Sequence, residues 1–342
     1  MTVLDFVLPA EREAHEPPEA RGLARDRVRL LVAERGTGAL HHHRFTELPE
    51  LLRPGDVLVV NTSGTLAAAV PVPESRLTLH FSTEQADGDW LVELREAGDK
   101  ATVPYSGGRA GQRYPLLGGA VVTLRQRYSR ERLWIASVEP GPAGSVPAFL
   151  ERFGAPIRYG YVRRPWPVSY YQTVFATHPG SAEMPSASRP FTDRVVTRLV
   201  AAGVQFAPLL LHTGVASPEA HERPYPERFA VSATTARIVN QARAAGGRII
   251  AAGTTAVRAL ESATDARGSV RAAEGWTEVI ITPERGVRAV DGLLTGFHEP
   301  AASHLDMLAA ITDSGVLADS YAEAIRSGYL WHEFGDVNLL LP

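Results

Sequence analysis

The sequence predicts an α/β fold: a larger α/β domain interrupted by a small antiparallel β-barrel. Three observations point to it. Short apolar runs ending in small polar residues, such as Val57–Val60 before Asn61 and Ile249–Ala252 before Gly253, alternate with stretches at helical spacing. From about residue 66 to 147 that texture gives way to short alternating runs between Gly-, Asp- and Pro-rich turns, the pattern of a small barrel or sandwich. After Pro147 the α/β texture returns. The expected organisation is therefore a discontinuous α/β domain over 1–65 and 148–342, with 66–147 as the β-barrel insert.

In order along the chain, Val28–Val32 reads as a strand, Gly36–Gly38 as a turn and Phe45–Leu52 as a short helix. His41-His42-His43 invites a metal reading, but three consecutive side chains do not converge on one ion, and on a strand His41 and His43 share a face that His42 does not. Val57–Val60 reads as a buried strand. The barrel strands are Arg76–Phe81, Trp90–Arg95, Ala120–Arg125 and Leu133–Val138. Arg109, Arg113, Arg125, Arg127, Arg130 and Arg132 make this the most basic part of the chain, either a solvated barrel surface or an RNA-facing patch. Pro156–Pro167 is a loop rich in aromatics and arginine. Phe191–Ala202 reads as a helix with Thr192 or Asp193 near its start, and Val204–His212 as a strand that Pro208 confines to an edge or a bulge. Ser232–Ala245 is a helix ended by Gly246-Gly247. Strands at Thr277–Thr282, Leu293–His298 and Tyr329–Leu341, and helices at Ser303–Ile311 and Ala318–Ser327, complete the pattern.

With 342 residues, 44% hydrophobic and 21% charged, the composition is that of an ordinary globular protein. The opening residues have neither a basic n-region nor an apolar h-region, and no apolar run approaches the roughly 18 residues of a membrane span, so the cytoplasm is the expected location. The absence of cysteine excludes disulfides and thiolate chemistry. A net charge of −3 argues against a general nucleic-acid binder without excluding a local basic groove.

The stretch richest in chemistry is Arg248–Ser262. A strand that feeds a helix through Gly253-Thr254-Thr255 offers free backbone N–H groups and two hydroxyls at the carboxyl end of a sheet, where ligands settle in open α/β folds. Thr254 and Thr255 are the expected caps. Arg258, Glu261 and Ser262 share one helix face, so a cation and a carboxylate are expected within reach of that mouth, or else as an ordinary surface pair. His212, closing a strand, and His298, after Phe297, are each either a general base or substrate donor or a structural histidine. Zinc-type His-Glu-x-x-His, Gly-x-Ser-x-Gly and phosphate-loop motifs are absent.

Taken in order, these pieces resemble the S-adenosylmethionine:tRNA ribosyltransferase-isomerase family of queuosine biosynthesis over nearly the whole length. The resemblance is carried by Arg25-Asp26 with Arg29-Leu30-Leu31, Pro54–Asn61 (PGDVLVVN), Tyr171–Ala176 (YQTVFA) and Phe191-Thr192. It continues through Leu211–Gly214 (LHTG), Gly246–Ser262, Asp291–Pro300 (DGLLTGFHEP) and Phe334-Gly335-Asp336. It implies an α/β domain with an inserted β-barrel, and S-adenosylmethionine as a ribosyl donor. The ribosyl group would be moved to the aminomethyl group of a 7-deazaguanine base in tRNA and isomerised, with loss of adenine and methionine. No metal is expected. It implies His212, Arg258, Glu261 and His298 as catalytic residues. Asn61, Tyr171, Gln172, Gly253, Thr254, Thr255, Asp291, Thr295 and Phe297 would lie against the donor.

The chain also departs from the family pattern. Thr62, Ser63, Gly64 and Ala69 stand where it has Asp-Thr-Arg and a further Arg; Ser188 and Pro190 replace its Gly and His; Ala216-Ser217-Pro218 replaces Gly-Thr-Phe. Gly296, Glu299 and Glu333 replace its Asn, Leu and Ser, and Tyr329-Leu330-Trp331 its Tyr-Arg-Phe. Lost arginines and added carboxylates weaken phosphate contacts. The alternatives are therefore a divergent paralogue using S-adenosylmethionine with a small-molecule acceptor, or a non-catalytic nucleoside- or RNA-binding relative.

Overall fold

The computed structural model describes residues 4–128, 132–215 and 225–342. The chain opens with strands β1 (Arg29–Glu34) and β2 (Leu40–Arg44), a short helix α1 (Leu48–Leu51) and β3 (Val57–Asn61). A three-residue strand β4 (Ser63–Thr65) leads out to β5 (Ala69–Pro71), β6 (Leu77–Glu84), β7 (Trp90–Ala97), β8 (Thr102–Pro104), β9 (Arg113–Pro115), β10 (Val121–Arg127) and β11 (Leu133–Glu139). Helix α2 (Val146–Phe153) and β12 (His178–Ser181) lead back. There follow α3 (Asp193–Ala201), β13 (Gln205–Leu211), β14 (Glu227–Val231), α4 (Ala233–Ala244), β15 (Ile249–Ala252), α5 (Thr254–Ser262) and β16 (Ala273–Thr277). The chain ends with β17 (Gly292–Gly296), α6 (His304–Ile311), α7 (Ser314–Arg326) and β18 (Val337–Leu341).

Nine strands form one mixed sheet in the order β16-β14-β13-β3-β15-β17-β18-β1-β2. At its centre β13, β3, β15 and β17 are mutually parallel. Their sequences read as continuous apolar runs because both faces are covered. Val57, Val59, Ile249 and Ala251 pack on one side with α4, α5, α6 and α7, while Leu58, Val60, Ile250 and Ala252 pack on the other with α1 and α3. Thr192 caps α3 by accepting from the Val195 amide at 3.3 Å, and Ser232 caps α4 by accepting from Thr235 at 3.0 Å.

Strands β5 to β11 form a separate antiparallel sheet in the order β5-β6-β7-β11-β10-β9, with β8 added to β7, curled over its own core with α2. The expected barrel is a half-barrel: β5 and β9 are its two edges rather than a closing pair. Among the described residues no helix is long and apolar enough to cross a membrane.

Several elements differ from the sequence expectation. Pro208 lies in an interior strand, opposite Val60. It is tolerated because β14 pairs with β13 only at Leu210 and Leu211, so the ladder position that would need its missing N–H is empty. The strand expected at Thr277–Thr282 lies earlier, at β16, and that expected over Tyr329–Leu341 begins only at Val337. Asp336 breaks it by accepting from the backbone amides of Arg29 (2.7 Å) and Leu330 (2.9 Å), which fixes residues 330–336 as a loop.

Candidate functional site

The four parallel strands bring their carboxyl ends together, so Asn61, His212, Gly253 and Gly296 lie along one edge of the large sheet. Asn61, fully buried, ties this edge together. Its Oδ1 accepts from the amides of Ser63 (3.1 Å) and Leu211 (3.0 Å), and its Nδ2 donates to the Leu211 carbonyl (2.8 Å) and to Thr255 Oγ1 (3.3 Å). His212 follows Leu211, with its Nδ1 2.8 Å from Ser63 Oγ, itself 2.6 Å from Ser181 Oγ. The ring lies flat on Gly180, where a Cβ would come within 2.4 Å of Cε1. Burial pushes the imidazole down to about 4, so it is neutral at pH 7 with Nε2 unengaged by protein.

Gly253 holds φ +98°, ψ 153°, a conformation open to glycine, and is itself the N-cap of α5. The expected threonine cap is not formed. Thr254 is already helical, no side chain caps the end, and the first bonds to the Gly253 carbonyl come from Ala256 (3.1 Å) and Val257 (3.3 Å). The Thr254 and Thr255 N–H groups are thus left for a ligand at the positive end of the helix.

Beyond Gly253 lies the end of β17. Thr295 Oγ1 is 2.9 Å from His298 Nε2, and the His298 ring stacks on His304 at 4.7 Å. Burial, and then His304, hold His298 well below its ordinary range, so it too is neutral. A short turn at Ser186–Ser188 passes over this edge, near enough that Cβ atoms on Gly253 and Gly296 would meet Ala187 (3.5 Å) and Ser186 (4.0 Å). Between that turn and the 332–337 loop is a cleft bordered by Arg189, Gly296, His332, Glu333 and Asp336. Three departures from the family pattern, at Pro190, Gly296 and Glu333, converge on this cleft.

Other expected site residues are placed elsewhere. Glu261 lies two turns down α5, roughly 10 Å along the helix axis from Thr254. Its carboxylate accepts from the amides of Arg288 (2.7 Å) and Ala289 (2.8 Å) and pairs with Arg285 at 3.1 Å. Asp291 accepts from the Ile249 amide at 2.8 Å, which places it at the amino edge of the parallel strands. Both carboxylates thus lie toward the edge of the sheet opposite His212 and Gly253, and Arg258 and Glu261 take partners on different elements. Arg258 is buried, ion-paired with Glu227, and its Nε donates to the Val279 carbonyl at 3.1 Å. Glu227 also accepts from the Gly214 amide at 3.2 Å, so Arg258 braces the turn after His212 from beneath. The Gln172 side-chain amide is spent on the Thr65 backbone, at 3.0 and 2.8 Å. Tyr171 packs on Phe334 with ring centroids 5.1 Å apart, and Phe297 lies in an aromatic core with Tyr321, Tyr329 and Trp331.

Ser181, Gly180, Glu227 and Tyr161 escaped the sequence reading. Nothing local marks them, because each meets its partner across a large sequence separation. Ser63 stands out in the sequence only as one of the departures from the family pattern after Asn61.

The arginines of the antiparallel sheet are largely matched by acids. Arg125 pairs with Asp89 (3.2 Å), Arg132 with Glu93 (3.2 Å) and Arg113 with Glu139 (3.7 Å), while Arg127 lies over Trp134 at 4.5 Å. Arg130 and Ala216-Ser217-Pro218 lie outside the described residues. His42 is 3.0 Å from the Tyr329 hydroxyl and His43 is 3.6 Å from Glu47, as separate surface contacts. Among the described residues no group of three or more His, Asp or Glu is arranged to hold a metal.

Residues 1–340 match the family described as queuosine biosynthesis protein. The chain is 34% identical to the S-adenosylmethionine:tRNA ribosyltransferase-isomerases of Moorella thermoacetica and Symbiobacterium thermophilum, over 98% of each chain. It is 33% identical to that of Thermus thermophilus, again over 98% of both. Among solved structures, the S-adenosylmethionine tRNA ribosyltransferase of Thermotoga maritima matches with a TM-score of 0.54 and 26% identity, covering 99% of this chain and all of that one. The half-barrel beside a large mixed sheet, and the run of motifs along its carboxyl edge, thus have one common explanation: the chain belongs to the queuosine biosynthesis family of S-adenosylmethionine:tRNA ribosyltransferase-isomerases.

Proposed function

We propose that this enzyme moves the ribosyl group of S-adenosylmethionine onto the aminomethyl group of a 7-deazaguanine base in tRNA and isomerises it, releasing adenine and methionine. The observation that carries this reading is whole-length similarity to enzymes of that name. The site is the carboxyl edge of the large sheet, residues 66–147 act as an inserted domain beside it, and the cytoplasm is the place of work.

The reaction needs a proton removed next to the sulfonium and a proton given to departing adenine. His212 is suited to both. Its Nδ1 is fixed by Ser63 and its Nε2 is free. An imidazole held near 4 is a weak base, which the acidity conferred by the sulfonium must offset, but once protonated it is a strong acid for the leaving base. The Thr254 and Thr255 amides supply fixed donors for negative charge developing nearby. The neutral His298, set by Thr295, adds a polar contact without a competing charge. Arg258 and Glu227 hold the turn that carries His212.

A second reading, S-adenosylmethionine chemistry on a small acceptor, is favoured by one observation: Glu333 and Asp336 line the cleft, while Arg113, Arg125 and Arg132 of the antiparallel sheet are paired with acids. Incubation with S-adenosylmethionine, with and without deazaguanine-bearing tRNA, separates the two by mass spectrometry of adenine and methionine. Release only with the tRNA supports the family reaction. Release with free 7-aminomethyl-7-deazaguanine supplied in place of the tRNA supports the second reading, and no release with either acceptor contradicts both.

A further inference from the structure

The cleft beyond Gly296 holds polar groups that the proposed chemistry does not use. Glu333 lines it, its carboxylate accepting from the Tyr161 hydroxyl at 2.6 Å and from its own backbone amide. His332 also lines it, stacked on Tyr161 at 3.6 Å with 7° between the rings. Its side chain is only 5% exposed, and its Nε2 is buried with no hydrogen-bond partner. Glu13 lies 3.8 Å from Nε2 and Glu299 3.8 Å from Nδ1, both beyond hydrogen-bonding distance.

The charge balance is one-sided. Burial, and then His15, hold His332 near 4, so at neutral pH it offers no charge to Glu13, Glu299 and Glu333; burial raises Glu299 and Glu333 above the ordinary carboxylate range, a cost that a bound cation would relieve. Arg189, the cation bordering the cleft, is committed elsewhere: its Nη2 bonds both oxygens of Glu19 (3.1 and 2.9 Å) and its Nε the Tyr170 carbonyl (2.8 Å). A buried carboxylate with no salt-bridge partner among the described residues, a second carboxylate across a buried imidazole and an adjoining aromatic wall form a setting that attracts a cation with N–H donors.

We propose that this cleft binds a protonated primary amine of a substrate, with Glu333 as its counter-ion, Glu299 as a second carboxylate and His332 Nε2 as acceptor of one N–H. The proposal rests on the reading of function above, since donor and acceptor each carry such an amine: the amino-acid end of S-adenosylmethionine and the aminomethyl group of the deazaguanine. Glu333 is then a specificity-determining residue.

The test is calorimetric binding to the full chain, wild type, Glu333→Gln and Glu299→Gln. Two ligand pairs serve as probes: S-adenosylhomocysteine with its deaminated analogue, and 7-aminomethyl-7-deazaguanine with its 7-methyl analogue. Glu333→Gln keeps an acceptor for Tyr161, and Glu299, 62% exposed, is a variant with little burden on folding. We expect Glu333→Gln to weaken the amine-bearing member of one pair 10- to 100-fold and its amine-free analogue less than 3-fold, with a smaller loss for Glu299→Gln. The pair affected identifies the amine. Equal loss for both members, no loss in either pair, or no wild-type preference for the amine overturns the proposal. Adenine release by the wild type with tRNA, measured in parallel, reports on the reaction separately. An intact reaction with no Glu333 effect sinks the amine site alone, whereas Glu333-dependent amine binding without adenine release sinks the reaction alone.

Discussion

The two edges of the parallel core strands are built from the same residue types and differ in how far those residues are satisfied. At the amino edge Asp56, Asp291 and Glu261 are all consumed. Asp56 pairs with Arg248 (2.6 Å) and accepts from the amides of Arg53 (2.8 Å) and Arg248 (3.1 Å), Asp291 holds Ile249, and Glu261 holds Arg288, Ala289 and Arg285. At the carboxyl edge His212 has a free ring nitrogen, and the first two amides of α5 lack partners. Saturation is what a scaffold needs, because a buried polar group left unpaired costs stability. Spare capacity held in a rigid frame is what a binding site needs. The contrast assigns the same kinds of residue to opposite duties.

The largest expected effect comes from breaking the saturated edge. Glu261→Ala strands the Arg285 charge and two amides, and should cost about 3–5 kcal/mol in denaturant unfolding. The fraction that remains folded should turn over within a few-fold of wild type; a selective loss of turnover with unchanged stability would return Glu261 to the chemistry. Next is His212→Ala, expected to lower adenine release by roughly 10²–10⁴-fold while shifting stability by only about 1 kcal/mol. A stability loss comparable to that of Glu261→Ala would make His212 a structural residue.

Gly180→Ala sharpens the comparison by moving the ring without removing it. The added methyl would meet Cε1 at 2.4 Å, so turnover should fall about tenfold or more with His212 still present. Wild-type turnover in that variant would show that the ring's seat on Gly180 is immaterial.

Acid should destabilise the fold through its neutral histidines. The folded-state values of His212, His304 and His332 lie near 4 and that of His80 near 3, all below the ordinary 6.5, so the unfolded chain binds more protons in that interval. Their contribution is complete above about pH 6.5 and falls as pH drops toward 4, so the melting temperature should decline over that window. His80→Gln should flatten the decline; an unchanged slope would exclude His80 as a contributor. The smallest effect is expected at the exposed pairs of the half-barrel, where Arg113→Ala should change stability by less than about 0.5 kcal/mol.

The sequence made the carboxyl edge legible where signals are local. Val57–Asn61 shows a buried strand ending in a small polar residue, Arg248–Ser262 shows a buried strand, a glycine and a helix start within a single window, and Thr192 or Asp193 marks the start of α3. It misjudged what depends on distant partners. Pro208 looked like an edge marker because no sequence signal shows how short the β14 ladder is. Arg258 and Glu261, three apart on one helix, looked like a shared functional face, yet each found a partner on a different element, Glu227 and Arg285. Asp291 carried a motif that reports family membership but not which end of the sheet its side chain serves. The cleft at Glu333 was visible only as scattered departures, since Tyr161, Arg189, Gly296 and His332 are gathered by the fold alone.

The central claim is that the carboxyl edge, and not the amino edge, receives the substrates. Amide hydrogen exchange of the full chain with and without S-adenosylmethionine tests it most directly. The account predicts slowed exchange at the unpaired Thr254 and Thr255 amides and across 211–215 and 295–298, with 248–249 and 285–291 unchanged. Protection at 285–291 with none at Thr254 and Thr255 would contradict it.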